Sequence, residues 1–143
     1  MDRLTSQVKP KKIFMGEKDF QQLHLVKNFV EKRYDTKVIL CKTIRNKNKV
    51  ALSSRNLLLR KKEINLASLI INDIFFLKKN LFKYKNINLY LKNKKKLLEK
   101  KYDIKIDYLE LRDKTNLRLS NNIKNSKLFI AYYLRNIRLI DNI

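Results

Sequence analysis

The chain has 143 residues, of which 44% are apolar and 34% are charged, which is enough for one ordinary domain or two small ones. Lys and Arg total 35 against 13 Asp and Glu, giving a formal charge of +22, with one Cys, one His, one Gly and no Trp. This composition leaves little room for a disulfide, a zinc framework or a Ser-His-Asp site, and no apolar run approaches the about 20 residues of a membrane span. We therefore expect a basic cytoplasmic protein with no membrane partner.

The positive charge raises the question of nucleic-acid binding, because Lys and Arg neutralise phosphates. Of the 35 basic residues, 26 are Lys and only 9 are Arg, whereas contacts to base edges favour the planar fork of Arg. Lys, Asn and Ile, all encoded by A/T-rich codons, dominate the sequence, so drift in base composition explains the charge. The densest run, 92–96, is followed by two leucines and is typical of the solvated face of a helix.

The first third of the chain has the pattern of a helix followed by a strand-helix-strand unit. Polar residues with scattered apolar positions reach Pro10 and indicate the end of a helix. The run 12–15 predicts a buried strand, and Gly16 predicts a tight turn after it. Apolar residues at helical spacing begin after Asp19, which could cap that helix. The apolar run 38–41 then completes a βαβ unit.

The remainder predicts helices followed by a small antiparallel sheet. A polar loop at 45–49 precedes a long amphipathic helix from Ile64 to Leu81 and a second helix at about 88–101. Residues 104–111 alternate in the manner of a strand, with one slip. After a loop, apolar strands are expected at 128–134 and at 136–140, which makes an α+β module.

Two clusters carry the polar chemistry. In GEKDFQQL, residues 16–23, a strand ends at Gly16 and a helix opens, which places N–H groups and Lys18 where an anion would bind. Asp19 could accept hydrogen bonds from a ribose diol, and Gln22 lies on the same side of the first helical turn. The second cluster, 52–56, offers two hydroxyls and the guanidinium of Arg55 to a polyphosphate.

These segments resemble the signatures of the pantothenate synthetase (pantoate–β-alanine ligase) family. GEKDFQQL and ALSSRN are similar to its second and third signatures, and YLELRD at 108–113 and RLIDN at 138–142 to its carboxy-terminal strands. The resemblance covers essentially the whole chain. It implies an α/β fold in which residues 1–51 are the final βαβ part of a Rossmann-like ATP- and pantoate-binding domain, and residues 52–143 are a small α+β closing domain.

The resemblance also implies a two-step reaction and a set of site residues. Pantoate would attack the α-phosphate of ATP to form pantoyl adenylate and pyrophosphate, and β-alanine would then displace AMP. Mg²⁺ would be held mainly by the ATP phosphates, with no metal ligands from the protein. Gln22 would bind pantoate, and the family's homodimer is expected if the enzyme is complete. Four residues, Lys18, Ser53, Ser54 and Arg55, would stabilise charge on the phosphates of ATP. The full set of residues expected to bind ATP is Gly16, Glu17, Lys18, Asp19, Ile44, Leu52, Ser53, Ser54 and Arg55.

Departures from the family pattern leave other hypotheses open. The histidine-bearing HxGH-type first signature has no counterpart, and His24 is expected to be a helix-surface or packing residue. Lys49 and Arg135 stand at or near positions where the family usually has Gly, and Arg60 replaces a capping Ser or Thr. The chain is therefore expected to be the carboxy-terminal part of the enzyme, active with an amino-terminal partner chain. The alternatives are an inactive remnant of that enzyme and, ranked last, a basic RNA-binding module.

Overall fold

A computed structural model describes residues 1–143 and divides them into two compact units, Met1–Thr43 and Ile44–Ile143. The boundary between the units precedes the polar loop at 45–49, whereas the resemblance places a domain boundary at 51/52. Each unit has its own hydrophobic core. None of the helices combines the length and apolar character needed to cross a membrane.

The first unit is a βαβ element preceded by a short helix. Its elements are α1 (Asp2–Val8), β1 (Lys12–Gly16), a 3₁₀ turn (Glu17–Asp19), α2 (Phe20–Arg33) and β2 (Lys37–Cys41). Strands β1 and β2 pair in parallel, with Lys12 opposite Lys37 and Gly16 opposite Cys41. The predicted βαβ unit is confirmed, and both strands end at the same edge of the sheet.

One face of this small sheet is covered by α2. Val26 and Val30 of the helix pack with Val38 of β2, and Ile13 and Met15 of β1 lie against this cluster. The prediction of a buried first strand is wrong, because residues on the opposite face of β1 have no such cover: Phe14 is 67% exposed. Alternation of side chains across a strand accounts for the difference.

The second unit is an α+β module, as predicted. A 3₁₀ turn (Ser54–Leu58) leads to α3 (Lys61–Asn80), and a turn at 81–83 separates it from α4 (Ile87–Tyr102). The strands β3 (Lys105–Asp113), β4 (Ser126–Leu134) and β5 (Ile137–Asn142) form an antiparallel sheet in that order. The helices and the sheet share one core, to which α3 contributes Ala67, Ile70, Ile71, Ile74 and Leu77.

The amino terminus of α3 shows how the missing cap is replaced. Arg60 occupies the capping position and its side chain accepts no hydrogen bond from the helix, as expected, because a guanidinium has no acceptor atom. The carboxylate of Glu63 instead accepts a hydrogen bond from the backbone N–H of Arg60. Half of a capping box therefore remains.

The sheet of the second unit contains the irregularity that the sequence predicted. The register between β3 and β4 shifts between Ile106 and Tyr108, where the alternating pattern slips. On β4, Tyr132 is buried and Tyr133 is half-exposed, as expected for adjacent residues of a strand. Burial, and secondarily the charge of Asp141, raises the pKa of the Tyr132 hydroxyl well above its usual range.

The turns are made without glycine. Lys49 and Arg135 adopt left-handed conformations with φ of 66° and 54°, which fits the usual Gly at or near these positions in the family. Arg135 begins the two-residue turn between β4 and β5. Gly16, in contrast, has a φ of −69° and a ψ of 132°, an extended conformation that any residue can adopt.

Candidate functional site

The first candidate segment lies where β1 ends and α2 begins. Phe20 and Leu23 are buried and fix the start of α2, so the polar residues before and between them stay near the surface. Gly16, Asp19 and Gln22 are exposed, while Glu17 and Lys18 are half-buried. The structure therefore places all five predicted residues of this segment at or beside the carboxyl end of a parallel strand, where α/β sheets bind ligands.

Gly16 has no structural reason to be glycine within the chain. Its backbone is extended, and a Cβ placed on it would meet no atom within 4 Å. The predicted tight turn follows this residue as the 3₁₀ turn Glu17–Asp19, but Gly16 itself keeps the extended backbone of the strand. A requirement for glycine at this position would therefore come from something that approaches the backbone from outside.

The prediction that Asp19 caps α2 is wrong. Asp19 precedes the helix, but its side chain accepts no hydrogen bond from the first turn. The 3₁₀ turn that includes Asp19 gives it φ −96° and ψ 52°, outside the extended region that capping residues normally adopt. Its exposed carboxylate is consequently not committed to the helix.

His24 lies on the surface of α2, as expected. Its Nε2 is 2.9 Å from the side-chain amide of Asn28, one turn further along the helix. This contact is a local hydrogen bond between side chains of the same helix, and it gives the imidazole no acidic or nucleophilic neighbour among its hydrogen-bond partners. His24 is half-buried on the helix, which agrees with the expectation of a helix-surface or packing residue.

The second candidate segment begins with a closed loop at 44–52. The N–H of Leu52 donates to the carbonyl of Ile44 at 2.9 Å, and Arg45 forms an antiparallel bridge with Ala51. The side-chain oxygen of Asn46 accepts hydrogen bonds from two backbone N–H groups inside the loop, each at 3.0 Å. Val50 and Ala51 are buried, whereas Ile44 is 71% exposed. The loop thus presents Ile44 at the surface on a defined backbone.

The serines and arginine of ALSSRN follow at the start of a 3₁₀ turn. The hydroxyl of Ser53 accepts a hydrogen bond from the backbone N–H of Arg55 at 3.3 Å, and Ser54 is exposed. The guanidinium of Arg55 donates to the carbonyl of Arg138 at 2.9 Å. The Ser53 hydroxyl keeps its own proton to donate, and a guanidinium has five N–H donors. The segment can therefore offer several donors to an anion while it stays attached to β5.

No group of three or more His, Cys, Asp and Glu side chains could hold a metal ion. In the second segment, Ser53, Ser54 and Arg55 offer hydroxyl and guanidinium donors of hydrogen bonds and no carboxylate. These groups suit phosphate oxygens better than a bare cation.

Comparison with known proteins identifies the family. The sequence profile described as pantoate-beta-alanine ligase matches residues 1–143. The chain belongs to the pantoate–β-alanine ligase family. It is 39% identical over 140 residues to a pantothenate synthetase of Flavobacterium psychrophilum, an alignment that covers 95% of the chain and 49% of the relative. The chain thus spans about half the length of the curated pantoate–β-alanine ligases that it matches.

Solved structures of the same ligase family show the same fold. A pantothenate synthetase from Thermus thermophilus superposes with a TM-score of 0.86 at 25% identity, covering 99% of this chain and 52% of that one. A pantoate-beta-alanine ligase from Francisella tularensis gives a TM-score of 0.67 at 27% identity, covering 98% of this chain and 46% of that one. The Francisella structure is described as a complex with beta-gamma ATP and beta-alanine. The predicted α/β fold with a small carboxy-terminal α+β domain is confirmed.

Sequence reasoning missed the residues that hold the second segment in place. The buried carboxylate of Asp141 pairs with Arg45, and the carbonyl of Arg138 accepts from Arg55. Both β5 residues belong to RLIDN, which the resemblance matched only as a strand. The one available signal was an acidic residue, Asp141, next to the apolar pair Leu139 and Ile140 of β5. A buried acidic residue calls for a cationic partner, but the sequence does not identify that partner.

Proposed function

We propose that this chain supplies the carboxy-terminal part of a pantothenate synthetase, which condenses pantoate with β-alanine at the expense of ATP. The observation that carries the proposal is that both signature segments lie at the surface on defined backbone while their neighbours form the core. Membership of the family and the ATP and β-alanine of the Francisella relative support the choice of substrates. Residues 1–51 would complete the ATP- and pantoate-binding domain, and residues 52–143 would form the closing domain.

In the first step, a pantoate carboxylate oxygen attacks the α-phosphorus of ATP. The bond to the bridging oxygen of the β-phosphate breaks, and pyrophosphate leaves with that electron pair. Negative charge grows on the phosphate oxygens, so positioned donors and cations lower the barrier. Lys18, Ser53, Ser54 and Arg55 would supply them, and Mg²⁺ carried by the ATP phosphates would add to their effect. Gln22 would orient pantoate by hydrogen bonding.

In the second step, the amine of β-alanine attacks the carbonyl carbon of pantoyl adenylate. AMP leaves with the electrons of the acyl-phosphate bond, and the amine loses a proton as the amide of pantothenate forms. Gly16 would let the nucleotide approach the backbone closely, Asp19 would accept hydrogen bonds from the ribose, and Ile44 would lie beside the adenine. Glu17, in the first segment, and Leu52, in the second, would also contribute to ATP binding.

The proposal includes a partner that contributes the amino-terminal half, since the family's histidine signature has no counterpart in these residues. The test mixes this chain with the separately produced amino-terminal half of the Flavobacterium relative and measures pantothenate and AMP formed from pantoate, β-alanine and ATP. We expect activity in the mixture and only background from either part alone. Full activity of this chain alone would refute the need for a partner. The sedimentation behaviour of the mixture would test the family's homodimer.

Two controls separate this proposal from an inactive remnant. Arg55→Ala should lower activity of the mixture, whereas Lys85→Ala, which changes an exposed lysine outside both segments, should not. ATP should also protect this chain from limited proteolysis. A mixture that is inactive, together with a chain that ATP fails to protect, would favour the remnant.

The lysine-rich surface supports a structural role better than RNA binding. In the densest run, Lys95 donates to the carbonyl of Asp107 at 2.9 Å, and Lys94 lies 5.5 Å from the ring centre of Tyr90. Further along α4, Lys101 pairs with Asp73 at 2.6 Å. Lysines engaged in local contacts are less available to phosphates. RNA affinity that falls steeply with salt and is saturable would argue for the alternative.

A further inference from the structure

Strand β5 binds two arginine side chains of this part of the chain: Arg45, before the proposed phosphate-binding segment 53–55, and Arg55, the last residue of that segment. Before the segment, the Arg45 guanidinium donates to both carboxylate oxygens of Asp141, at 2.6 and 2.8 Å. After the two serines, Arg55 donates to the carbonyl of Arg138 on the same strand. Besides forming a strand, the RLIDN motif therefore contacts the arginines before and within the proposed phosphate-binding segment.

The two attachments differ in kind. Asp141 is 4% exposed, and the Arg45 side chain is 19% exposed, so the pair is largely removed from water. Arg45 also donates to the carbonyls of Lys49 and Asn142, at 2.9 and 3.2 Å. Arg55, in contrast, is exposed, and its guanidinium makes a single hydrogen bond, to the neutral carbonyl of Arg138. The first attachment is therefore fixed, while the second leaves most of its donors for a ligand.

The backbone connects the Arg45–Asp141 pair to the proposed phosphate-binding segment, residues 53–55. Arg45 is adjacent to Ile44 and forms the bridge with Ala51, and Leu52 donates to the carbonyl of Ile44. Ser53 follows directly. A shift of Arg45 would consequently be transmitted through this ladder to both serines, because the loop at 44–52 is closed by its own hydrogen bonds.

We propose that Asp141 is a positioning residue for nucleotide binding: its buried carboxylate holds Arg45 and thereby sets the position of Ile44 and of Ser53 to Arg55. This inference rests on the proposed function, since it assumes that these residues contact ATP. Asp141 itself touches no substrate. Its charge is required because a buried guanidinium with a neutral partner would be left partly unpaired.

The test measures ATP binding to the full chain by isothermal titration calorimetry with Mg²⁺ present, at a temperature where circular dichroism shows each variant folded. Asp141→Asn preserves the shape of the side chain and removes the charge, and Arg45→Lys preserves the charge and removes the two-pronged contact. We expect each to weaken ATP binding about tenfold. Asp73→Asn, which removes the partner of Lys101 on the helices, is the matched control and should bind ATP as the original chain does.

The double variant separates positioning from general loosening of the fold. If both residues act through one contact, Arg45→Lys with Asp141→Asn should weaken binding no more than the stronger single change. If Asp141→Asn does not fold, the ATP affinity of Arg45→Lys alone tests the inference. Folded variants that bind ATP within twofold of the original chain would overturn the inference and leave the proposed function intact. A failure of the original chain to bind ATP, or to act with the amino-terminal half, would reject both.

Discussion

Replacing Gly16 by alanine tests whether glycine is needed at this position for folding or for ATP binding. The backbone at this residue is extended, and the added methyl group would meet no atom within 4 Å. Alanine also reduces the conformational entropy of the unfolded chain, which stabilises compatible sites by about 0.4–1 kcal/mol. For a chain of this size, such a gain corresponds to an increase in melting temperature of about 1–4 °C.

The same substitution should weaken ATP binding. If the nucleotide approaches the backbone at Gly16, a methyl group occupies space that the ligand needs, and we expect a loss of tenfold or more, about 1.4 kcal/mol. Melting temperature would be followed by circular dichroism, and affinity by calorimetry with Mg²⁺ and ATP. Lys12→Ala, at the opposite end of β1, is the matched control and should leave the affinity nearly unchanged.

Two results would refute this reasoning. A lower melting temperature for Gly16→Ala would mean that the fold itself needs glycine there, contrary to the space and conformation observed. An unchanged ATP affinity would mean that no ligand approaches this backbone closely, which would remove the main reason for placing the nucleotide at the end of β1.

Other consequences of the structure can be tested by stability measurements. Lys49→Gly and Arg135→Gly should each stabilise the protein by up to about 1 kcal/mol, because left-handed backbone is unfavourable for residues with a Cβ; a lower free energy of unfolding in urea would contradict this. Burial, followed by the hydrogen bond with Tyr84 and the charge of that residue, raises the pKa of Tyr90 to about 12. The unfolded chain releases this proton near pH 10 and the folded chain does not, so stability should fall as the pH rises from about 10 to 12. Tyr90→Phe should flatten that dependence, and equal slopes for the two proteins would exclude it.

Much of the fold could be predicted because it depends on local patterns. The apolar spacing of α3 indicates its buried face, and the slip in the alternation of β3 corresponds to a shift in register. Lys49 and Arg135 adopt left-handed backbone, in keeping with the Gly that the family resemblance places at or near these positions. Each of these features is determined by neighbours within a few positions of the chain.

The remaining features depend on contacts or conformations that no local pattern specifies. Arg45 and Asp141 are separated by 96 positions in the chain, so their pairing follows only from the folded arrangement of the sheet. Asp19 has the right identity and place for a helix cap, but the 3₁₀ turn before it changes its backbone. Exposure of Phe14 likewise depends on what covers the second face of the sheet, which strand alternation does not reveal.

Cys41 gives the protein a single point of chemical attachment. It is exposed and ends β2 opposite Gly16, and it is the only thiol in the sequence. A maleimide dye or a spin label would therefore modify one atom, with no other cysteine to remove first. Under oxidising conditions the same thiol could join two chains through a disulfide, so preparations intended for labelling need a reducing agent until the reagent is added.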